Sequence, residues 1–139
     1  MHTPHEALEI LLAAADNGRL DEICERFGID LVSVFGSVLD DAAENPSDLD
    51  VAIRFEDFDA TDVLSSITSL AELVGTDDLD VLILNGAGVV ARSRALGPKG
   101  KGLYEKRRGL YALAQMAALT EEMETAPMRR RDLELLADR

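Results

Sequence analysis

Apolar and polar positions alternate along the chain in blocks whose period changes several times, and each change marks an element. Residues 5–17 place Leu8, Leu11, Leu12 and Ala15 on one side of a helix that Asn17-Gly18 ends. A second amphipathic stretch runs from Leu20 to Phe27, with Gly28 as its stop. Val32 to Phe35 is an apolar run that reads as a buried strand; Gly36-Ser37 turns it into a short helical segment at 37–43. Asn45-Pro46-Ser47 is a loop, and Leu49 to Phe55 alternates as a strand. After a polar turn at Asp57 to Asp59, either Thr61 or Asp59 caps a helix over 60–74, with Val63, Ile67, Leu70 and Val74 on one face.

Gly75 to Asp78 breaks that helix and a third strand follows at 79–84. Asn85-Gly86-Ala87-Gly88 turns into a helix from Val89 to Leu96, and Gly97 to Gly102 reads as a flexible basic loop. Leu103-Tyr104 reads as a short edge strand. From Lys106 the pattern is helical, with Leu110, Leu113, Ala114, Ala117 and Met123 as core positions. Ala126-Pro127 interrupts it, and Arg129 to Leu136 starts a last helix or a tail. The fold class is α/β (α+β): a small mixed β-sheet flanked by helices. At 139 residues the chain fits one domain, with N-terminal helices over 5–28, a core of about 30–105 and a helical segment over 106–139.

Composition narrows the function classes. A hydrophobic fraction of 47% is too high for a disordered chain, and no apolar run approaches the roughly 20 residues of a membrane helix. The N-terminal residues lack the basic and apolar regions of a secretory signal, and one cysteine forms no internal disulfide, so the expected compartment is the cytoplasm. Cys24 falls on the apolar side of its helix and reads as core. The net charge is −13, carried by residues 1–98 with 20 acids against 5 bases; residues 99–139 hold 7 acids and 9 bases. Such a surface repels a phosphate backbone and disfavours direct nucleic-acid binding. Both histidines lie in the first five residues, which excludes a histidine-based metal cluster or triad.

The candidate chemistry lies at strand ends. Gly36-Ser37 follows one strand, Asp48 and Asp50 open the next, and Asp80 opens the third. Residues i and i+2 of a strand share a face, so Asp48 and Asp50 can meet one cation or a close pair of them. Carboxylates without histidine or cysteine suit Mg²⁺. Glycine lets the backbone approach an anion, and a serine at a helix N-terminus offers hydroxyl and amide hydrogens to phosphate. Singly, each piece is an ordinary feature: a turn, a capping pair, a surface acid. Together they suggest phosphoryl or nucleotidyl transfer with two metal ions.

Gly36-Ser37, ten residues, Asp48-Leu49-Asp50 and then Leu79-Asp80-Val81 resemble the signature of the DNA polymerase beta-like nucleotidyltransferase superfamily. The short length and layout resemble its minimal nucleotidyltransferases (MNT), the antitoxins paired with HEPN ribonuclease toxins. The resemblance implies that Asp48, Asp50 and Asp80 are catalytic and hold two Mg²⁺ ions, Asp80 also helping to deprotonate the acceptor. It implies that Gly36 and Ser37 hold the β- and γ-phosphates of ATP, and that AMP passes to a tyrosine of a HEPN-type toxin. One departure stands out. The family usually has arginine after Gly-Ser; here it is Val38, and residues 38–47 contain Asp40, Asp41 and Glu44 but no base. Arg54, Arg92, Arg94, Lys99 and Lys101 are the available replacements. Two readings follow: an adenylyltransferase antitoxin, and a catalytically weak or dead module of the same fold that neutralises a partner by contact. Transfer to a small molecule is a third, for which the chain leaves little room.

Overall fold

A computed structural model of the protein describes residues 2–40 and 48–137. Its elements are helices α1 (Pro4–Asn17) and α2 (Arg19–Phe27), strands β1 (Ile29–Phe35) and β2 (Leu49–Phe55), helix α3 (Val63–Val74), strand β3 (Leu79–Ile83), helix α4 (Val89–Leu96), strand β4 (Lys101–Glu105) and helix α5 (Leu110–Ala137). The four strands form one mixed sheet in the order β3-β2-β1-β4. β2 and β4 are antiparallel to β1, and β3 is parallel to β2. The expected mixed sheet flanked by helices is the one observed.

Alternation along each strand divides the core between two faces. Val32 and Val34 of β1 join Leu49, Val51, Ile53 and Phe55 of β2 in a cluster with residues of α1, α2 and α3, including Leu11, Cys24 and Leu70. Leu31 and Phe35 point the other way, with Ala52, toward Ala95 and Leu96 of α4 and Ala114 and Ala118 of α5. Because both faces of β1 are covered, all seven of its residues are buried, and its sequence is apolar except for Asp30 and Ser33. Ile29 belongs to the first cluster because the register shifts between Ile29 and Leu31.

Several local readings needed adjustment. β1 begins at Ile29, directly after Gly28, which stops α2 at φ +68°. The helical segment after Gly36 is a single 3₁₀ turn, Ser37–Leu39, and Asp40 beyond it is extended rather than helical; the rest of the segment expected to 43, the loop at 45–47, and Asp41 and Glu44 lie outside the described residues. α3 starts at Val63, and its cap is Asp62, whose side chain accepts from the Ser65 amide at 3.1 Å, rather than Thr61 or Asp59. Lys101 and Gly102, assigned to the basic loop, belong to β4. Asn85 does more than turn the chain. Its amide both accepts from Phe55 N and donates to Phe55 O, each at 2.9 Å, extending β2 by one side-chain rung.

α5 departs furthest. Leu113, Ala117 and Met123 are exposed, and its buried residues are Ala114 and Ala118. Nor does Pro127 interrupt it: the helix runs on to Ala137. Arg129 reaches back across the proline to the Thr125 hydroxyl and lies 3.7 Å from Glu122, so side chains bracket the turn that loses a backbone hydrogen bond. Two contacts fasten α4 to α5. Arg92 pairs with Glu121, and Ser93 Oγ lies 3.2 Å from Glu122.

Candidate active site

The three strand ends meet on the α4 face of the sheet. Asp50 is the cross-strand partner of Phe35 on one side and of Asp80 on the other. Partners in register share a face, and Asp48 precedes Asp50 by two residues, so all three carboxylates turn the same way. One oxygen from each of Asp48, Asp50 and Asp80 lies within 4.8 Å of the others. The sequence placed these acids at strand ends; register brings them together.

Gly36 completes the corner. Its φ of +83° and ψ of −164° are glycine-only territory, and a Cβ built there would collide with the Asp50 carboxylate. Ser37 opens the 3₁₀ turn next to it. Ser37, Asp48, Asp50, Asp80 and Arg94 line a cleft of about 360 Å³. A second opening of about 760 Å³ is lined by Gly36, Ser37, Leu39, Ser93, Arg94 and Lys99, among others. Phe35, Ser37 and Arg94 belong to both.

The electrostatics of the corner favour a cation. Partial burial raises the Asp50 carboxyl above its ordinary pKa, and the charges of Asp80 and Asp48 raise it further, while Arg94 works in the opposite direction. Three mutually repelling carboxylates fit a hard divalent ion in ligand type and proximity.

The structure also sorts the five candidate bases. Arg54 donates from Nε and Nη2 to both oxygens of Asp30, at 2.9 and 3.2 Å, toward the opposite end of β1 and β2. Arg92 is taken up by Glu121, and Lys101 lies on β4. Arg94 and Lys99 line the openings beside Gly36-Ser37. Two contributors escaped sequence reasoning. Phe35 carries the Arg94 guanidinium 5.7 Å from its ring centroid, and buried Ser33 donates to the Ala95 carbonyl at 3.2 Å, tying α4 to the central strand. The signal for Ser33 was available: a lone hydroxyl inside an apolar strand needs a partner.

A family model described as polymerase beta, nucleotidyltransferase, matches residues 19–109. The chain belongs to this family. The matched nucleotidyltransferase segment contains all four strands and every residue of the acid corner. A sequence comparison with curated proteins gives no match. Among solved structures, a chain of a mutant MntA–HpeT toxin–antitoxin complex is similar at TM-score 0.67 and 16% identity, covering 86% of this chain and 97% of that one. A toxin–antitoxin complex with AMP-PNP gives 0.67 and 18%, over 86% and 97%. A complex of tri-AMPylated HEPN toxin with MNT antitoxin, from Shewanella oneidensis, gives 0.65 and 18%, over 91% and 98%. At these identities the likeness is one of nucleotidyltransferase fold. Among the described residues, no helix is long and apolar enough to cross a membrane.

Proposed function

We propose that this nucleotidyltransferase is a cytoplasmic MNT-type antitoxin that transfers AMP from ATP, with Mg²⁺, to a tyrosine of a HEPN-type toxin and so neutralises it. The observation that carries the reading is the convergence of Asp48, Asp50 and Asp80 beside Gly36. The solved complexes with AMP-PNP and with an AMPylated HEPN toxin support it, since their nucleotidyltransferase-like chains share the fold.

In this reading Asp48, Asp50 and Asp80 hold the Mg²⁺ ions. When bound, the metal supplies charge stabilisation at the reacting phosphate and lowers the pKa of a coordinated hydroxyl. Gly36, lacking a side chain, lets the backbone approach the β- and γ-phosphates, and the Ser37 hydroxyl hydrogen-bonds them. Asp80, the most exposed of the three, faces the acceptor and takes the tyrosine proton. The tyrosine oxygen then bonds to the α-phosphorus as the bond to the bridging oxygen breaks, and pyrophosphate leaves. The acid corner aligns these groups.

The test is co-expression of the chain with a HEPN-type toxin, followed by intact-mass measurement of the toxin. AMP adducts with the natural chain and none with the Asp48→Asn, Asp50→Asn double variant are the expected result. Unchanged adducts with the double variant would sink the reading. A second reading, neutralisation by contact alone, draws on the base-free stretch 38–47. Full protection from the toxin by the double variant would favour it.

A further inference from the structure

A triphosphate laid along Gly36-Ser37 meets no base from the segment that follows, because residues 38–47 contain neither lysine nor arginine. Positive charge lines the same openings from α4 and the turn after it, at Arg94 and Lys99. Arg94 borders both openings and its charge acts on Asp50, whereas Arg54 and Arg92 are each held in an ion pair away from the cleft or with α5. It is exposed, and its guanidinium rests over Phe35, the residue just before Gly36. A contact of the guanidinium charge with a ring face occupies none of its N–H donors in a conventional hydrogen bond.

The segment carrying Arg94 is fastened down. Ser33 of β1 holds the Ala95 carbonyl next to it, and α4 is tied to α5 through Arg92 and Ser93. Beyond the helix the chain makes a tight turn, Gly100 N to Gly97 O at 3.0 Å, that presents Lys99 to the larger opening. Gly100 packs so closely that a Cβ would come within 3.3 Å of the Val34 carbonyl. Both bases are thus referenced to β1, the strand that ends just before Gly36.

We propose that Arg94, assisted by Lys99, binds the β- and γ-phosphates of a nucleoside triphosphate from the α4 side of the cleft. It would replace the base missing after Gly36-Ser37 and make the site select for the length of the phosphate chain. This rests on the nucleotide reading given above. Arginine suits the task because its planar fork binds phosphate oxygens in pairs and stays charged at any physiological pH.

The experiment is calorimetric titration of the full chain with AMP-PNP and Mg²⁺, on the natural protein, Arg94→Gln and Arg94→Lys. It is paired with thermal melts of each protein with and without Mg²⁺ alone. Glutamine keeps the stem over Phe35 and removes the charge. The expected result is a ten- to hundredfold weaker affinity for Arg94→Gln, roughly the loss of a charge-assisted hydrogen bond, with part of it regained in Arg94→Lys. The rise in melting temperature on adding Mg²⁺ should survive in both variants, because the acid corner is untouched. Unchanged affinity in Arg94→Gln overturns this assignment and leaves the nucleotidyltransferase reading standing. So does loss of the Mg²⁺ response together with the affinity, which would make Arg94 a structural support of the acids. A natural chain that binds no AMP-PNP overturns both.

Discussion

The Asp50 carboxylate occupies the space that a side chain at position 36 would need. Glycine there satisfies two demands at once, a backbone angle closed to other residues and room for the central acid of the corner. Gly36→Ala must therefore relax the backbone and displace Asp50. The expected cost is about 1–3 kcal/mol of stability, together with loss of Mg²⁺-dependent AMP-PNP binding. Urea unfolding and calorimetry check the two effects separately.

Neutralising the acid corner has the opposite effect on stability. Asp48, Asp50 and Asp80 crowd one another, and burial already disfavours the charged form of Asp50. Asp50→Asn should melt at or above the natural chain in the absence of divalent ions. Added Mg²⁺ should stabilise the natural chain by mass action and leave the variant unmoved. A lower melting point for the variant in metal-free buffer would show that the acids hold the fold together rather than strain it.

Removing Asp30 separates fold from site. This aspartate is only 7% exposed and forms a two-point ion pair with Arg54. Asp30→Ala strands the guanidinium and should cost about 2 kcal/mol in a urea titration. Since the pair lies at the far end of β1 and β2, affinity for AMP-PNP should stay within twofold.

Cys24 is completely buried, and burial, with Asp21 and Glu25 nearby, pushes its thiol far above the ordinary range. The thiolate is the reactive form. An aromatic disulfide reagent should therefore leave the native protein unlabelled for hours and react stoichiometrically once it is unfolded. Rapid native labelling would contradict this burial.

The corner was legible in the sequence because its signals are local: a glycine that ends an apolar run, and two acids separated by one residue at a strand entry. Asp80 was legible as an acid opening a third strand, but nothing local says that this strand lies beside Leu49–Phe55; only the pairing of β2 with β3 does. Periodicity failed where elements are small or outward-facing. In α5 the buried stripe is alanine, Ala114 and Ala118, while the larger Leu113 and Met123 face outward, so an expectation based on size selects the wrong side. The cap of α3 was ambiguous because Asp59, Thr61 and Asp62 all suit the role, and only Asp62 reaches the Ser65 amide. Pro127 was read as a break because a proline rule carries no knowledge of the Arg129 bracket.

The parallel pairing of β2 with β3 has a consequence for how the chain reaches its working state. Asp50 and Asp80 are partners thirty positions apart, joined through α3, so the corner stays open until that crossover has closed. A slip of one residue in this pairing would send Asp80 among the apolar side chains facing α1 and α3 and set Leu79 or Val81 beside Asp50. Nascent or misregistered chains would thus carry the same residues without an assembled corner. Competence for chemistry then reports on correct folding, and a population of slipped chains would register as a lower titratable fraction rather than a weaker affinity.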